Sequence, residues 1–248
     1  MSGTGPPRLF CFHHAGAGTS GFARWQRVLG GSAEVVPVLL PGRDARFHEP
    51  RITAPERLFA ELFDRLGPLL DRPYALYGHS LGGLIGYHFA RVVETAGLRE
   101  PSRVVVGAVL PPHLPSPLLP AAFPPDGQLL PWLVSYGALP AEALEGGPGG
   151  IWQRRVLPTV RDDLLLGQAL RALERTPLRV PLVAVAGLDD AIAPTGPVGQ
   201  WRHYSTAGFR LETVQGGHFF VREREVAQLL TGVMDGVGAE VRSKSSSV

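Results

Sequence analysis

A serine with glycines two residues before and two residues after it is the feature of this sequence best suited to catalysis. Ser80 lies in Gly78-His79-Ser80-Leu81-Gly82, after the strand-like run 74–77 and before the apolar, helix-like run 84–93. A serine nucleophile at the end of a strand sits on a very sharp turn, where the flanking positions have no room for a Cβ atom. The pattern predicts a nucleophile elbow with Ser80 as the nucleophile. The alternative is a chance match in a chain with 31 glycines.

The base can be chosen from the order of residues along the chain. Strand-like and helix-like segments alternate, which predicts an α/β protein with sites at the carboxyl ends of mostly parallel strands. In the α/β-hydrolase arrangement the order is serine, acid, histidine. Of the eight histidines, that order leaves His203 and His218. His203 lies in an apparent helix and is expected at the surface, whereas His218 follows the last predicted strand and is the expected base.

The acid should follow the strand that comes before the base. Gly187-Leu188-Asp189-Asp190 stands at the end of the apolar run 182–186. We choose Asp190 as the carboxylate that orients the imidazole, with Asp189 as the alternative. Asp162 and Asp163 lie far from any predicted strand, and we expect them to be helix-start or solvated carboxylates.

An oxyanion formed during acyl transfer needs two backbone amides, one after the nucleophile and one from the first strand–helix loop. Leu81 supplies the first, and Ala15 or its neighbour His14 supplies the second. His13 and His14 are adjacent and lack the spacing of zinc ligands, so we interpret them as loop packing or pocket lining. No metal or cofactor is required.

Six strand-like runs are predicted to form the central sheet, with helices on both of its faces. A long segment without strands, residues 111–179, interrupts the pattern and begins with many prolines. Its leucine and tryptophan content favours a packed helical lid. We therefore expect a core of residues 1–110 and 180–240, a lid of residues 111–179 and a disordered tail of residues 241–248. Pro37 argues against a central place for its strand. The predicted strands are residues 8–12, 34–38, 74–77, 104–109, 182–186 and 209–214.

Composition excludes several classes of protein. The 248 residues suit one large domain, and no apolar run is long enough to span a membrane. The amino-terminal residues lack the pattern of a secretory signal, and the single cysteine, Cys11, fits a cytoplasmic protein. The net charge of +2, with scattered arginines, does not indicate nucleic-acid binding.

With these residues assembled, the chain resembles a type II thioesterase, the discrete editing enzyme of polyketide and nonribosomal peptide synthesis. The resemblance covers nearly the whole chain and is carried by the elbow and five other blocks. The five blocks are Phe10-Cys11-Phe12-His13-His14-Ala15-Gly16, Leu40-Pro41-Gly42-Arg43, Leu157-Pro158-Thr159-Val160-Arg161-Asp162-Asp163, Gly187-Leu188-Asp189-Asp190 with Trp201, and Gly216-Gly217-His218-Phe219-Phe220. Two positions depart from the family, which usually has proline at His13 and glycine at Ala17.

The resemblance implies a partner and a substrate. Such enzymes hydrolyse stalled or wrong acyl groups from the phosphopantetheine arm of an acyl or peptidyl carrier protein. Thioesterase domains fused to synthases typically carry their acid after the strand that follows the elbow. Here that position reads Val109-Leu110-Pro111-Pro112, without a carboxylate, which favours the discrete type.

A lid that admits this arm should form a narrow apolar channel to the nucleophile, with basic residues near its mouth. Candidate lining residues are Phe123, Leu129, Trp132 and Leu133. Candidate basic residues are Arg154, Arg155 and Arg161, whose ordinary explanation is a solvated helix face.

Two other functions stay open from the sequence. The same triad with a different lid is found in carboxylesterases and lipases, which act on oxygen esters. A protein that binds acyl-carrier proteins without catalysis is the alternative from another class. The intact set of Ser80, Asp190 and His218 argues against that second alternative.

Overall fold

The computed structural model describes residues 5–118, 124, 126–136, 139–145 and 150–245. Six strands form one sheet in the order β2-β1-β3-β4-β5-β6, and all five pairings between them are parallel. The expected α/β-hydrolase fold, with its mostly parallel sheet, is confirmed. The strands are β1 (Arg8–Phe12), β2 (Glu34–Val38), β3 (Tyr74–His79), β4 (Arg103–Gly107), β5 (Leu182–Gly187) and β6 (Phe209–Val214).

The four inner strands are nearly continuous runs of buried residues, as parallel strands covered on both faces must be. Their register aligns Phe12 with Gly78 and His79 with Gly107, so the carboxyl ends of β1, β3 and β4 meet at one edge of the sheet. β2 is an outer strand of this sheet, which explains how it tolerates the exposed Pro37.

Helices cover both faces of the sheet. On one face, helices α2 (Pro55–Leu66) and α3 (Leu81–Thr95) contribute leucines and aromatic residues to the larger apolar core. On the other face, α1 (Trp25–Leu29) and the carboxyl-terminal helix pack around Tyr77 and Phe220. The sheet thus lies between two apolar layers of side chains.

The predicted boundaries differ from the structure in two places near the candidate site. The first helix, expected to begin near Phe22, is divided into a 3-10 turn (Thr19–Phe22) and the short α1. The strand expected over residues 104–109 ends at Gly107, because Ala108 has a φ of +52° that turns the chain out of the sheet. Hydrophobicity alone does not reveal this turn, since residues 108–110 are as apolar as the strand before them.

The insertion contains helices α4 (Asp126–Ser135) and α5 (Leu157–Ala172), a 3-10 turn and a π-helical turn (Trp152–Val156). Its helical character is as expected. A separate apolar cluster joins α4 to the first half of α5, through residues such as Leu133 and Leu164. The second half of α5 packs into the main core through Leu166 and Leu170. The insertion therefore shares its last helix with the body of the protein.

Two further helices, one short and one long, complete the structure. Helix α6 (Thr195–Val198) follows the loop after β5. Helix α7 (Arg224–Ser245) extends well beyond its expected end near Met234, so residues 241–245, which we expected in a disordered tail, are helical. Gly236 and Gly238 do not end the helix, because alanine, glutamate and arginine, which favour helix, follow them. Among the described residues, no helix combines the length and the apolar character needed to cross a bilayer.

Candidate active site

Ser80 stands alone on a sharp turn between strand β3 and helix α3. The strand ends at His79, the helix begins at Leu81, and Ser80 has φ +53° and ψ −117°. A non-glycine residue with positive φ is strained and persists only where its surroundings hold it. Here the Ser80 amide donates to the carbonyl of Gly107 at 2.8 Å, which fixes the turn to the neighbouring strand. The hydroxyl is thereby lifted above the carboxyl edge of the sheet.

The two glycines of the motif have the steric role that the sequence suggests. A Cβ atom on Gly78 would lie 1.9 Å from the carbonyl oxygen of Gly82, and one on Gly82 would lie 2.2 Å from the carbonyl oxygen of Phe12. Both obstacles are backbone atoms, so no side-chain movement can make room. The glycines are therefore required for α3 to start directly against β3 and β1.

The structure brings Ser80, His218 and Asp190 into one hydrogen-bonded chain. His218 Nε2 lies 3.1 Å from Ser80 Oγ, and His218 Nδ1 lies 2.9 Å from Asp190 Oδ2. His218 is carried by the loop after β6, and Asp190 by the loop after β5. Both distances suit hydrogen bonds in which the carboxylate accepts from Nδ1–H and Nε2 accepts from the serine hydroxyl.

Asp190 is better placed than Asp189 to orient the imidazole. Asp190 is buried, and its second oxygen, Oδ1, accepts from the amides of Ile192 at 2.8 Å and Ala193 at 3.0 Å. Burial alone would raise the pKa of Asp190, but the hydrogen bonds from His218 and from these amides outweigh it and lower the pKa. The side chain of Asp189 is exposed. The acid of the pair is thus an anion with both of its oxygens hydrogen-bonded.

A second histidine, which sequence reasoning did not assign, lies beneath the site. His79 is fully buried, with Nε2 2.7 Å from the carbonyl oxygen of His218 and Nδ1 3.0 Å from the hydroxyl of Tyr77. Burial lowers the pKa of His79 well below its ordinary value, so the ring is neutral. Nε2–H then donates to His218, and Nδ1 accepts from Tyr77. The residue before the nucleophile thus anchors the backbone of the histidine loop.

The two expected oxyanion amides flank the same cleft. Ala15 and Leu81 line it together with Ser80 and His218. Among the described residues, neither the Ala15 amide nor the Leu81 amide has an acceptor, whereas the next amide, that of Gly16, donates to Asp163 at 2.7 Å. Ala15 and Leu81 therefore have free donors beside the serine, as an oxyanion site requires.

Apolar side chains surround Ser80 in two connected clefts. One, of about 460 Å³, extends toward the turn after β4 and is lined by Leu84, Val109 and Leu110. The other, of about 340 Å³, lies under the insertion and is lined by Leu133, Val160 and Phe219. Both volumes include space open to solvent. Ser80 thus has an apolar surface on each of two sides.

The four expected channel residues have different positions. Leu133 lines the cleft under the insertion. Leu129 is completely buried inside the insertion's own apolar cluster, and Trp132 packs against the same cluster, so a place for either in the channel lining stays a prediction. The sequence shows which residues of α4 are apolar, but it does not show which side of the helix faces the serine. Phe123 lies outside the described residues.

The first-loop histidines and one insertion aspartate also differ in role. His14 lines the cleft under the insertion, as expected, and burial lowers its pKa to about 3. His13 is buried below the loop, and its ring nitrogen Nδ1 lies 3.0 Å from the carbonyl oxygen of His14. Asp163 is neither solvated nor at a helix start. It is 1% exposed and paired with Arg43, because α5 places it against the first loop.

A serine hydrolase of the α/β-hydrolase fold is the class that this sheet and this arrangement of serine, histidine and aspartate define. Residues 7–234 match the family described as the thioesterase domain. The chain therefore belongs to the thioesterase domain family.

Similar proteins point to the same family. The chain is 31% identical to RedJ, a thioesterase from the prodiginine biosynthetic pathway of Streptomyces coelicolor, and the two structures superpose with a TM-score of 0.80 over 96% of this chain and 94% of that one. It is 33% identical over 222 residues to the linear gramicidin dehydrogenase LgrE of Brevibacillus parabrevis, covering 90% of this chain and 84% of that protein. It is 29% identical over 219 residues to the thioesterase PikA5 of Streptomyces venezuelae, covering 88% and 76%.

The LgrE relative is named a dehydrogenase, and dehydrogenases commonly bind a dinucleotide. In this chain Gly16, Gly18 and Gly21 match the glycine spacing of dinucleotide-binding loops. In such loops free amides at the start of a helix take the pyrophosphate. Here the amides of Gly16 and Thr19 already donate to Asp163 and Asp44, and only a four-residue 3-10 turn follows. The first loop of this chain does not fit a dinucleotide.

Proposed function

We propose that the protein is a type II editing thioesterase, which hydrolyses stalled or aberrant acyl groups from the phosphopantetheine arm of a carrier protein. The observation that carries the proposal is the hydrogen-bonded chain from Ser80 through His218 to Asp190 on a thioesterase-family fold. Its relatives RedJ and PikA5 are thioesterases by name, and RedJ belongs to a biosynthetic pathway.

The first half of the reaction forms an acyl-enzyme. His218 Nε2 takes the proton of Ser80 as Oγ attacks the thioester carbonyl carbon, and Asp190 stabilises the imidazolium. The carbonyl oxygen becomes an oxyanion, for which the amides of Leu81 and Ala15 are the proposed donors. The carbon–sulfur bond then breaks, and the arm leaves as a thiol after receiving the proton from His218.

The second half releases the acyl group as a carboxylic acid. Water, deprotonated by His218, attacks the ester carbonyl, and the same amides stabilise the second oxyanion. Ser80 leaves and recovers its proton from His218. The thiol released in the first half of the reaction has a pKa of about 8.5, so its thiolate is a good leaving group. Serine activation and oxyanion stabilisation are thus the main tasks of the protein, and no step needs a metal or a cofactor.

The insertion suits a substrate that arrives on a long arm. The cleft that contains Leu133, Val160 and Phe219 approaches Ser80 from beneath the insertion, and we assign the arm to it. The other cleft, beside Leu84 and Val109, would take the acyl group. Arg154 and Arg155 are exposed on the π-helical turn before α5, where we propose that they meet an acidic carrier protein.

We further propose that the reaction takes place in the cytoplasm. The lone cysteine, Cys11, is buried in strand β1, and burial raises its pKa well above the ordinary value. It is therefore an inert core residue, which suits a reducing compartment.

The test compares three substrates with the same acyl group: the acyl-loaded carrier protein, a soluble thioester of a small thiol, and an oxygen ester. We expect kcat/KM to be highest for the carrier protein, because it adds a docking surface to the reacting group. The oxygen ester should react most slowly, since an alkoxide is a poorer leaving group than a thiolate. A preference for the oxygen ester over both thioesters would identify a carboxylesterase instead.

The non-catalytic alternative has its own outcome in this experiment. A protein that only binds acyl-carrier proteins would hydrolyse none of the three substrates, and a serine-reactive fluorophosphonate would leave Ser80 unlabelled. Labelling of the wild type but not of Ser80→Ala is expected.

A further inference from the structure

A buried ion pair links the insertion to the core of the protein directly behind the first loop, which follows β1 and carries Ala15. Asp163 on α5 binds Arg43 through two parallel hydrogen bonds, Oδ2 to Nη1 and Oδ1 to Nη2, both 2.7 Å long. Asp163 is 1% exposed and Arg43 is 7% exposed. This is the fork geometry in which arginine binds a carboxylate most strongly.

The same carboxylate also holds the first loop. Asp163 Oδ2 accepts from the amide of Gly16 at 2.7 Å, and Arg43 Nη1 donates to the carbonyl oxygen of Ala17 at 3.2 Å. Gly16 immediately follows Ala15, the proposed oxyanion donor. The ion pair therefore makes hydrogen bonds to two peptide groups on the carboxyl side of Ala15. One is bound through its N–H group and the other through its carbonyl oxygen.

The fit between α5 and this loop leaves little freedom. Gly16 has a φ of +73°, and a Cβ atom at that position would lie 2.4 Å from Cγ2 of Val160, which is on α5 one turn before Asp163. The direction of the Ala15 amide thus depends on a helix whose Asp163 is 147 residues from Gly16 in the sequence. If α5 moves away, the acceptor of the Gly16 amide moves with it.

Stability alone does not account for such a pair. Two charges taken out of water lose about as much in solvation as they gain from each other, and apolar side chains of the same volume are often as stable. Three hydrogen-bonded directions on one carboxylate do, however, define a geometry that apolar contacts cannot. A positioning role explains the arrangement better than a stabilising one.

We infer that Asp163 and Arg43 are positioning residues: they set the direction of the Ala15 amide toward the oxyanion and make it depend on the docking of α5 of the insertion. This inference rests on the proposed function. Transition-state stabilisation is then complete only when α5 is seated on the first loop.

The neighbouring ion pair offers a matched control. Asp162, one residue earlier on α5, binds Arg51 through Oδ2 and Nε at 2.5 Å. This pair also ties α5 to the segment before α2, but both side chains are partly exposed, and among the described residues no hydrogen bond or ion pair joins either of them to the loop that carries Ala15. Asp162→Asn removes a charge and a tie from the same helix without touching an amide beside Ala15.

The first experiment measures kcat and KM for a soluble thioester with the wild type, Asp163→Asn and Asp162→Asn, well below the melting temperature of each. Asparagine keeps the shape of Asp163, but its NH2 group cannot accept from Arg43. Loss of one oxyanion donor lowers kcat by roughly 10²-fold, so we expect a fall of about tenfold or more for Asp163→Asn with KM within about twofold. Asp162→Asn should keep kcat within about twofold of the wild type.

A second variant separates position from stability, because Asp163→Asn also leaves Arg43 buried without its partner. Arg43→Met combined with Asp163→Leu removes both charges and should melt at a higher temperature than Asp163→Asn. The Gly16 amide would still lack its acceptor, so we expect kcat to stay low. Recovery of kcat together with the melting temperature would overturn the inference, as would equal losses in Asp163→Asn and Asp162→Asn. Turnover by the wild type tests the proposed function separately, since the inference depends only on the ratios of variant to wild type.

Discussion

At the scale of single residues, adjacent aspartates in and near the candidate site have different environments. Asp189 and Asp190 are adjacent, yet one is exposed and the other is buried against His218. Asp162 and Asp163 are adjacent too, and only Asp163 is buried. The order of serine, acid and histidine along the chain is enough to place the first pair near the base. Nothing local indicates that Asp163 pairs with an arginine 120 residues away.

Replacement of each aspartate after β5 tests the assignment of the acid. In Asp190→Asn the amide would hold the imidazole of His218 in the wrong tautomer, and we expect kcat to fall by roughly 10³–10⁴-fold while the fold is kept. Asp189→Asn is the control, and its kcat should stay within about threefold of the wild type. Steady-state hydrolysis of a soluble thioester and a circular dichroism melt measure both effects. A larger loss in Asp189→Asn than in Asp190→Asn would exchange the two roles.

At the scale of elements, the site is assembled by contacts between backbones at the carboxyl edge of the sheet. Helix α3 starts so close to β3 and β1 that Gly78 and Gly82 cannot carry a side chain. The strand–glycine–serine–glycine–helix pattern predicts this feature, because only backbone geometry is involved. The course of the insertion was harder to predict. Which faces of α4 and α5 point toward Ser80 depends on packing between distant segments.

The elbow glycines can be compared with a glycine later in the same helix. Gly82→Ala must push α3 away from the backbone of Phe12, and we expect a loss of about 2 kcal/mol or more in the free energy of unfolding, with reduced turnover. The Cβ atom of Gly86→Ala meets the ring of Phe12 at 3.6 Å and Cβ of Leu76 at 3.9 Å, which are ordinary van der Waals contacts, and the substitution should stabilise the helix by about 0.5–1 kcal/mol. Urea denaturation measures both. Equal effects of the two substitutions would contradict a steric requirement at the elbow.

The arginines before α5 test where the carrier protein docks. Arg154→Gln with Arg155→Gln should raise KM for the acyl-loaded carrier about fivefold, because complementary charge acts mainly on encounter. The soluble thioester should react as with the wild type. Arg24→Gln with Arg27→Gln, on α1 at the opposite face of the sheet, is the matched control and should change neither KM. If both double variants behave alike, the carrier does not dock at the π-helical turn.

At the scale of the whole molecule, four neutral histidines link stability to pH: His14, whose pKa burial lowers to about 3, and three that are more deeply buried. His13, His79 and His88 are at most 3% exposed, and burial is the main cause that lowers their pKa, to about 4 for His13 and His88 and well below the ordinary value for His79. Each is neutral in the folded protein. In the unfolded chain each takes up a proton as the pH falls below about 6.5.

The free energy of unfolding should therefore fall as the pH is lowered from 7 to 5. The lowered pKa values mean that the stabilisation is fully present above the unfolded pKa and is lost between about 6.5 and 4, by about 1–2 kcal/mol per histidine at pH 5. Urea denaturation at pH 7, 6 and 5 measures this slope. His88→Gln should reduce the pH dependence of the free energy of unfolding by the contribution of one proton. His203→Gln, at an exposed position, should leave this pH dependence unchanged. A free energy that is constant from pH 7 to 5 would contradict neutral buried histidines.

How far sequence reasoning succeeds depends on the range of the interactions. The six strands lie within or next to the predicted runs, and the four inner ones are the most evident, because a parallel strand buried on both faces must be apolar throughout. Ser80 could be selected from its glycines and His218 from chain order. The turn at Ala108, the anchoring of the His218 loop by His79 and the Asp163–Arg43 pair could not. Each depends on contacts between segments far apart in sequence, and none leaves a local pattern.

The most direct test of the central claim is the release of an acyl group from its carrier protein by the wild type and by Ser80→Ala. We expect the wild type to convert acyl-loaded carrier to free carrier and carboxylic acid, observed by mass spectrometry of the intact carrier. Ser80→Ala should keep its melting temperature within a few degrees and release the acyl group at least about 10³-fold more slowly, because the triad acts as a unit. A rate in Ser80→Ala above a few per cent of the wild-type rate would remove Ser80 from the mechanism, and no release by either protein would contradict the thioesterase assignment.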